Sequence, residues 1–421
     1  MPETDAPRAH AHGRIFSYFG ALIFLIALCS PVGFMGDIST TFMLKDRLHA
    51  TASEVSNFRI YTAIPVYFAF VFGFIRDRWS PLGLRDRGYL LVFGPITALA
   101  YVWLGTQELS FRGLVIGMLV AQFSFRLVVA AYQALLSLIG REKLMSGRLV
   151  TLWQIVASIP AVTAAFAAGW VAKHLDPRHT FFMLAAFAVA TGLVGLAKPR
   201  VVFEHAYDEP EAKRGSLGAD LKRLVTHRAI YPAILINFLW SFAPGSATPL
   251  QFYLTNELHA SDASYANFNA IFAASFIPTF FLYGYLCKKV RLRGLLIWGT
   301  VAAVPQMVPL ALVHSATSAL WLAAPIGLMG GVATAAYYDL AVRSCPDGLQ
   351  GTMMMAVEAV MVVAMRFGDR LGSAIYDANP ARGFLNCVIV TTIVYALILP
   401  LVYLVPKPLI AFADGEAPPA A

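Results

Sequence analysis

Eight ionisable side chains stand inside long apolar runs of this chain: Asp37, Arg59, Arg126, Asp339, Glu358, Arg366, Asp369 and Arg370. A charge within a membrane-length apolar segment is costly, so each marks a solute path, a proton relay or an ion pair. At about 1.5 Å per helical residue, Arg126 and Arg366 each fall near the middle of their run, one in each half of the chain. Two guanidinium groups at that depth can hold a small organic anion, because a desolvated guanidinium makes paired hydrogen bonds to carboxylate or phosphate. The opposing reading is structural. Each arginine would pair with a protein carboxylate and brace the fold, and Glu358 and Asp369 share a run with Arg366. Sequence leaves both readings open. Asp37 and Arg59 lie in the outer third of adjacent runs and read as an ion pair, with proton coupling through Asp37 as the alternative. Asp339 and Glu358 are the other coupling or ion-pair candidates. Gln133, Gln154, Asn237, Trp240 and Gln251, with Asn269, add amide and aromatic surface suited to a solute with flat and polar parts. Each amide can equally serve as a bond between helices.

The chemistry that is missing also matters. The sequence contains no nucleophile–base set, no Cys/His cluster and no Gly-x-x-x-x-Gly-Lys-(Ser/Thr) phosphate loop, and His49 and His259 are isolated at run ends. No enzyme, cofactor, metal or ATP coupling is implied. Cys29, Cys287, Cys345 and Cys387 are scattered, which supports neither a disulfide framework nor zinc.

The elements that must carry these groups follow from composition. The chain is 58% hydrophobic and 13% charged, with mean hydropathy +0.65. A soluble domain carries about 25% charged residues, so the bilayer is the solvent here. Twelve runs reach spanning length: 16–44, 54–75, 89–107, 111–139, 147–172 and 180–197, then 229–256, 263–286, 293–313, 317–343, 350–376 and 384–405. The polar opening leads into the first run without a small-residue cleavage site, so that run is a span rather than a removable signal. With both termini cytoplasmic, the inner segments hold 22 of the 32 Lys+Arg; the outer loops hold only Lys45, Arg47, Arg112, Lys173, Arg178 and Arg382. That bias sets the orientation. It also accounts for the formal charge of +8 without any nucleic acid.

An internal repeat organises the runs. Residues 42–58 (FMLKDRLHATASEVSNF) and 252–268 (FYLTNELHASDASYANF) match at an offset of 210 residues. The matching pairs are Phe42/Phe252, Leu44/Leu254, Leu48/Leu258, His49/His259, Ala50/Ala260, Asn57/Asn267 and Phe58/Phe268. Asn269 falls at the repeat position of Arg59. Two related halves in so apolar a chain imply a parallel-repeat architecture with the site between the halves. Beyond Arg293 at the edge of the ninth, the third, sixth, ninth and twelfth runs carry no charge, as expected of lipid-facing scaffold helices. Gly327 with Gly331, and Gly368 with Gly372, have the spacing of close helix contacts. Between the halves, 198–228 is acidic first (Glu204, Asp208, Glu209, Glu211) and basic after (Lys213, Arg214, Lys222, Arg223). Leu217, Leu221 and Leu224 there share a helical face, so a short surface helix is expected within the linker. The stretch after Lys407 shows no motif.

The loop after the second run reads GFIRDRWSPLGLRDRGYL, residues 73–90. It resembles the cytoplasmic signature of the major facilitator superfamily, Gly-x-x-x-Asp-(Arg/Lys)-x-Gly-(Arg/Lys)-(Arg/Lys). Gly73, Asp77, Arg78, Gly83, Arg85 and Arg87 take its positions, with three extra residues between Asp77 and Gly83. The second half holds a degraded counterpart, GYLCKKVRLRG, from Gly284 to Gly294. The resemblance implies gating roles for the six loop residues. Asp77 would face the start of the eleventh run, whose exposed amides after Pro346-Asp347-Gly348 favour an anion. Within the superfamily, NFLWSFAPGSATPLQFYLTNEL (Asn237 to Leu258), CPDGLQGT (Cys345 to Thr352) and GLRDRGYL are similar to patterns of the folate–biopterin transporter family. The fourth run, QFSFRLVVAAYQALLSL, lacks the acidic pair that family places there.

The expected protein is therefore an all-α membrane protein of twelve transmembrane helices in two six-helix bundles. Residues 1–197 form the first bundle, 198–228 a cytoplasmic linker, and 229–421 the second bundle with a short tail. The expected activity is secondary active transport of a small organic anion by alternating access, as a symporter or antiporter in a cell or inner membrane. The alternative is a non-transporting assembly or pigment-delivery factor on the same fold. Expected partners are a small-molecule substrate and the lipid bilayer, with no nucleic acid and a monomeric state. Single cysteines introduced in 198–228 should escape an impermeant maleimide in intact cells, while one at Ala260 should react. The opposite labelling would remove the twelve-span arrangement.

Overall fold

The computed structural model describes residues 5–108, 110–203, 217–379 and 382–417, and every regular element among them is helical. The linker charges Glu204, Asp208, Glu209, Glu211, Lys213 and Arg214 lie outside the described residues, as do the side chains of Phe42, Lys45, Lys173, Leu217 and Leu221. Among the described residues nine helices are long and apolar enough to cross a membrane, from Ala11–Cys29 to Gly383–Val402. Two shorter apolar helices, Arg178–Val194 and Ile230–Ser241, accompany them. The 29-residue helix Ser146–His174 occupies the fifth run.

Several runs expected as single spans are broken. The run 16–44 becomes Asp5–Cys29, a turn, and Phe34–Phe42; the run 229–256 becomes Ile230–Ser241, a turn, and Thr248–Phe252. Pro31 with Gly33, and Pro244 with Gly245, sit at the two breaks. Proline removes a backbone donor and glycine raises the entropic cost of helix, so hydropathy continues where the helix does not. Similarly, the ninth run gives Leu292–Ala303 and then Val308–Leu312, with Pro305 between them.

The repeat has a local structural cause. Each copy ends its helix in a π-type turn, Met43–Arg47 in the first and Tyr253–Glu257 in the second. Leu48 N and Leu258 N donate to the carbonyls of Met43 and Tyr253, at 3.0 and 3.1 Å. His49 and His259 then adopt left-handed backbone, φ 49° and 53°, a region where His is enriched among non-glycine residues. Ala50 N and Ala260 N close the turn onto Leu44 O and Leu254 O. Thr51 and Ser261 cap the next helices, Ala52–Tyr67 and Asp262–Leu286. Thr51 and Glu54 form a full capping box, in which side chain and backbone satisfy each other reciprocally. The two histidines are turn residues.

Contacts divide the chain into two compact units. The first comprises Met1–Leu138, Ile159–Leu221 and Asp347–Met355; the second comprises Ile139–Ser158, Lys222–Pro346 and Ala356–Ala421. In the first, Asp86–Thr106 lies along Pro177–Val194, and a Cβ on Gly94 would fall 2.9 Å from Gly192 Cα. Tyr101, fully buried there, donates to Cys29 O at 2.7 Å. In the second, Ala316–Arg343 lies against Asp262–Leu286 through the two glycines singled out by spacing. A Cβ would stand 1.8 Å from Ser275 Oγ at Gly327 and 1.6 Å from Thr279 Oγ1 at Gly331. On Gln350–Ala378, a Cβ would fall 3.0 Å from Ala243 N at Gly368 and 1.9 Å from Pro244 O at Gly372. Large apolar side chains remain on the outside of the charge-free runs, among them Leu99 at 67% exposure and Trp298 at 72%. Hydrocarbon is the solvent that tolerates them.

Gly372→Ala should be destabilising by about 1–3 kcal/mol, because the added methyl overlaps a backbone carbonyl that no rotamer change can move aside. Thermal unfolding in detergent checks it, and an unchanged midpoint would contradict this close approach.

Candidate functional site

The helix Ala69–Arg78 ends at Trp79, and its last turn carries a charge cluster. Gly73 lets it approach the start of Gln350–Ala378; a Cβ there would fall 2.2 Å from Gly351 O. Gly348 supplies the turn before that helix with φ +77°. Asp77 then accepts from Gly351 N at 3.0 Å, Thr352 N at 2.7 Å and Thr352 Oγ1 at 2.7 Å. First-turn amides have no helical partner, so a carboxylate satisfies them and opposes the positive end of the helix dipole. Arg76 holds this carboxylate from behind. It donates to Asp77 Oδ1 at 3.0 Å and grips both oxygens of Asp86 at 2.6 Å each. Arg76 and Asp86 take no position in the loop signature; opposite charges on the same short loop as Asp77 are the sequence signal that marks them.

The other loop residues have separate tasks. Arg78 pairs with Asp220 at 2.7 Å, on the helix Leu217–Thr226 that the linker's leucine pattern led one to expect. Gly83 and Arg85 take left-handed backbone, φ 67° and 48°, and Arg85 N donates to Ser80 Oγ. Arg87 donates to the carbonyls of Gly195 and Leu196, at 2.8 and 3.1 Å, at the end of Pro177–Val194.

The second unit has its own buried charges. Asp339, fully buried, receives Arg343 at 3.0 and 3.1 Å and the Tyr283 hydroxyl at 2.8 Å. Arg343 also donates to Ser146 Oγ and to the carbonyls of Leu409 and Phe412. Asp414 receives Gly147 N at 3.1 Å and Arg148 Nε at 2.6 Å, at the start of Ser146–His174. The stretch after Lys407, which shows no motif, is thus tied to two helices, Ser146–His174 and Ala316–Arg343. At the repeat offset, Cys287 corresponds to Asp77. It stands against Gly147, whose Cβ would fall 3.0 Å from its Cβ. Burial, with Asp414 and Asp339 nearby, pushes the Cys287 thiol up to about 12. A neutral thiol offers a helix start no negative charge, and Asp414 supplies it instead.

The mid-helix candidates are distributed as follows. Arg126 is buried on Phe111–Glu142, its guanidinium 5.9 Å from the Phe125 ring. Gln133 is buried two turns further on, and Gln122 one turn before. Both side-chain amide atoms of Gln122 are buried without a hydrogen-bond partner. Gln122 was missed, although an amide one turn from a buried cation is a readable signal. Arg366 is exposed on Gln350–Ala378. Its neighbour Asp369 instead holds Thr248 N and Oγ1, at 2.8 and 3.0 Å. Asn237 is buried and donates to Ala233 O and Tyr337 O, while Trp240 packs edge-on against Tyr337. Gln251 is exposed, and Gln154 and Glu358 are half-buried. Arg59 meets Asp37 at 3.3 Å with both side chains about half exposed, 51% and 48%. Among the described residues no group of three or more His, Cys, Asp or Glu could hold a metal ion.

Membrane-length apolar helices, a repeated helix–turn–helix unit and a helix-capping loop aspartate together define a multi-pass membrane protein. The family model described as Major Facilitator Superfamily matches residues 23–369, and the chain belongs to that superfamily. It is 24% identical over 361 residues to the Folate-biopterin transporter of Synechocystis sp., covering 80% of this chain and 70% of that one. It is 25% identical over 296 residues to Folate transporter 1 of Plasmodium falciparum, where 67% of this chain spans about half, 55%, of that protein. FucP, a Major Facilitator Superfamily transporter solved in the outward conformation, has a TM-score of 0.71 at 16% identity, over 93% of this chain and 98% of its own. A human organic anion transporter, TETRAN, has a TM-score of 0.61 at 14% identity, over 92% and 98%. The last two likenesses speak to fold alone.

Asp77→Asn keeps the side-chain shape but removes the charge facing the Gly351 and Thr352 amides. Such contacts are worth on the order of 0.3–1 kcal/mol, up to about 2 when partly buried, enough to shift a near-balanced conformational equilibrium several-fold. Spectroscopic distances between the loop that carries Asp77 and the start of Gln350–Ala378 should broaden while the protein still folds. Unchanged populations would reject a gating role for Asp77.

Proposed function

We propose that the protein is a secondary active transporter that moves a small organic anion across a cell membrane by alternating access. Two six-helix halves, 1–197 and 229–421, would be joined by a cytoplasmic linker, 198–228, with both termini cytoplasmic. The observation that carries the reading is Arg126, a guanidinium buried on a spanning helix with the Gln122 amide one turn away. A cation at such depth is expensive, and transport of an anion gives it a use. The relatives are named for folate and biopterin, flat heteroaromatic compounds, and folate carries carboxylates. A pterin-bearing carboxylate is accordingly the substrate class we assign. The fourth run lacks the acidic pair of the folate–biopterin pattern, so Arg126 and its two amide neighbours would take over recognition on that helix.

A thermal-stabilisation screen of purified protein with folate and biopterin tests the class, since a ligand that binds the folded form raises its apparent melting temperature. Uptake of labelled folate into vesicles tests transport. Arg126→Lys keeps the charge but loses the planar fork, and Arg126→Gln loses both. Folate affinity should fall moderately in the first and by roughly 1.5–3 kcal/mol in the second, the worth of hydrogen bonds to a charged group. Lost stability with retained affinity would make Arg126 a brace and leave the solute's charge open.

A further inference from the structure

We propose that a groove on the first unit, between the start of Asp5–Cys29 and the end of Pro177–Val194, binds the headgroup of an anionic phospholipid, with Arg14 and Lys198 holding its phosphate. The site lies apart from the residues assigned to the solute and takes from the reading above only the membrane orientation. The groove has a volume of about 800 Å³. Arg14, Ser17, Tyr18 and Ala21 line one side. Their spacing of i, i+3, i+4 and i+7 puts them on a single face of the first helix. Val194 and Lys198 line the other side. Gly13 also borders the groove, and an added Cβ there would meet nothing within 4 Å, so its charged end is open. Tyr18 is held edge-on against Phe203, ring centroids 5.7 Å apart.

The charges in the groove are of one sign. Among the described residues no Asp or Glu lines it, and Arg14 forms no ion pair there. Arg14 and Lys198 are both exposed, so an arriving anion meets them without displacing packed side chains. A guanidinium grips phosphate through paired hydrogen bonds and a lysine binds it as a point charge. Ser17 adds a hydroxyl donor. The carbonyls just past the end of Pro177–Val194 would repel an anion, but Arg87 already takes those of Gly195 and Leu196. The order of groups along the helices matches a phospholipid. Ala21 lies about 10 Å further along the axis than Arg14, and deeper on the two helices the exposed side chains of Phe24 and Val189 are apolar. With both termini cytoplasmic, the groove opens at the leaflet that carries anionic lipid, where basic pockets between spanning helices take such headgroups. A soluble phosphate would use the cations and leave the apolar wall bare, so the wall favours the lipid.

The test uses the full-length protein in an uncharged detergent, where its outcome does not depend on orientation. The four native cysteines are buried, so Phe24→Cys takes a bimane label selectively. Quenching is then titrated with phosphatidylglycerol and with phosphatidylcholine carrying the same brominated acyl chains. Each basic residue near an anionic lipid is worth roughly fivefold in affinity, so phosphatidylglycerol should quench at about 25-fold lower concentration. Arg14→Gln should narrow that gap to about fivefold, and Arg14→Gln with Lys198→Gln should close it. The phosphatidylcholine midpoint should move less than about twofold in either. Should the double variant fail to fold, the single variant decides. Equal midpoints for the two lipids in the parent protein, or a gap that Arg14→Gln leaves unchanged, would overturn the site. Inorganic phosphate at the lipid's concentration should leave the quenching in place; reversal by it would make the groove a soluble-anion site and overturn the lipid assignment. Folate uptake into vesicles reads the transport proposal separately, so either idea can fail while the other stands.

Discussion

Hydrocarbon offers no hydrogen bonds, so every backbone donor and acceptor at membrane depth must find its partner within the protein. This constraint decides where helices run on and what must be present where they stop. At the break after Ser241, Gly245 N is met by Thr391 Oγ1 at 2.9 Å and Thr248 N by Asp369. At the break after Cys29, the carbonyl of Cys29 is taken by the Tyr101 hydroxyl. The π-type turns close on their own carbonyls. Asp369 looked in the sequence like one charge among several in the eleventh run. In the structure it is the group that allows the seventh run to break.

The same economy governs the ionic groups. Taking a charge out of water is repaid only by close, multiple partners, and removal of one partner leaves the other stranded. Arg76 with Asp77 and Asp86, and Arg343 with Asp339 and Tyr283, each meet that condition with several bonds of 3.1 Å or less. The half-exposed pair of Asp37 and Arg59 does not, and pairs of that kind contribute about 0–1 kcal/mol. Burial, more than the presence of a charge in an apolar run, separates the groups that hold elements together from those that merely meet.

Much of this was legible in the sequence because it depends on local pattern. The repeat could be read because a left-handed histidine, a capping hydroxyl and the turn before them need particular residue types at fixed spacing. The GxxxG glycines and Asp77 were legible for the same reason. Other features depend on which way a side chain faces once helices assemble, and hydropathy is blind to that. Gln122 and Gln306 looked no different from Gln154, yet they are buried with unmet polar atoms while Gln154 stands half-buried. The breaks in the first and seventh runs were hidden because Pro31 and Pro244 sit in segments that remain apolar throughout. Asp414 was hidden because it acts on Gly147, 267 residues away in the chain.

The contact of Asp414 with Gly147 stands where the repeat offset breaks down. Where the first half keeps an aspartate on its own loop, the second has a cysteine at the same offset, and a segment outside the repeat delivers the missing charge. A carboxylate thus meets a helix start in each unit although the sequences differ at that offset. It also fastens the stretch from Lys407 to Glu416 at both ends of its reach, through Asp414 to the first turn of Ser146–His174 and through Leu409 and Phe412 to Arg343.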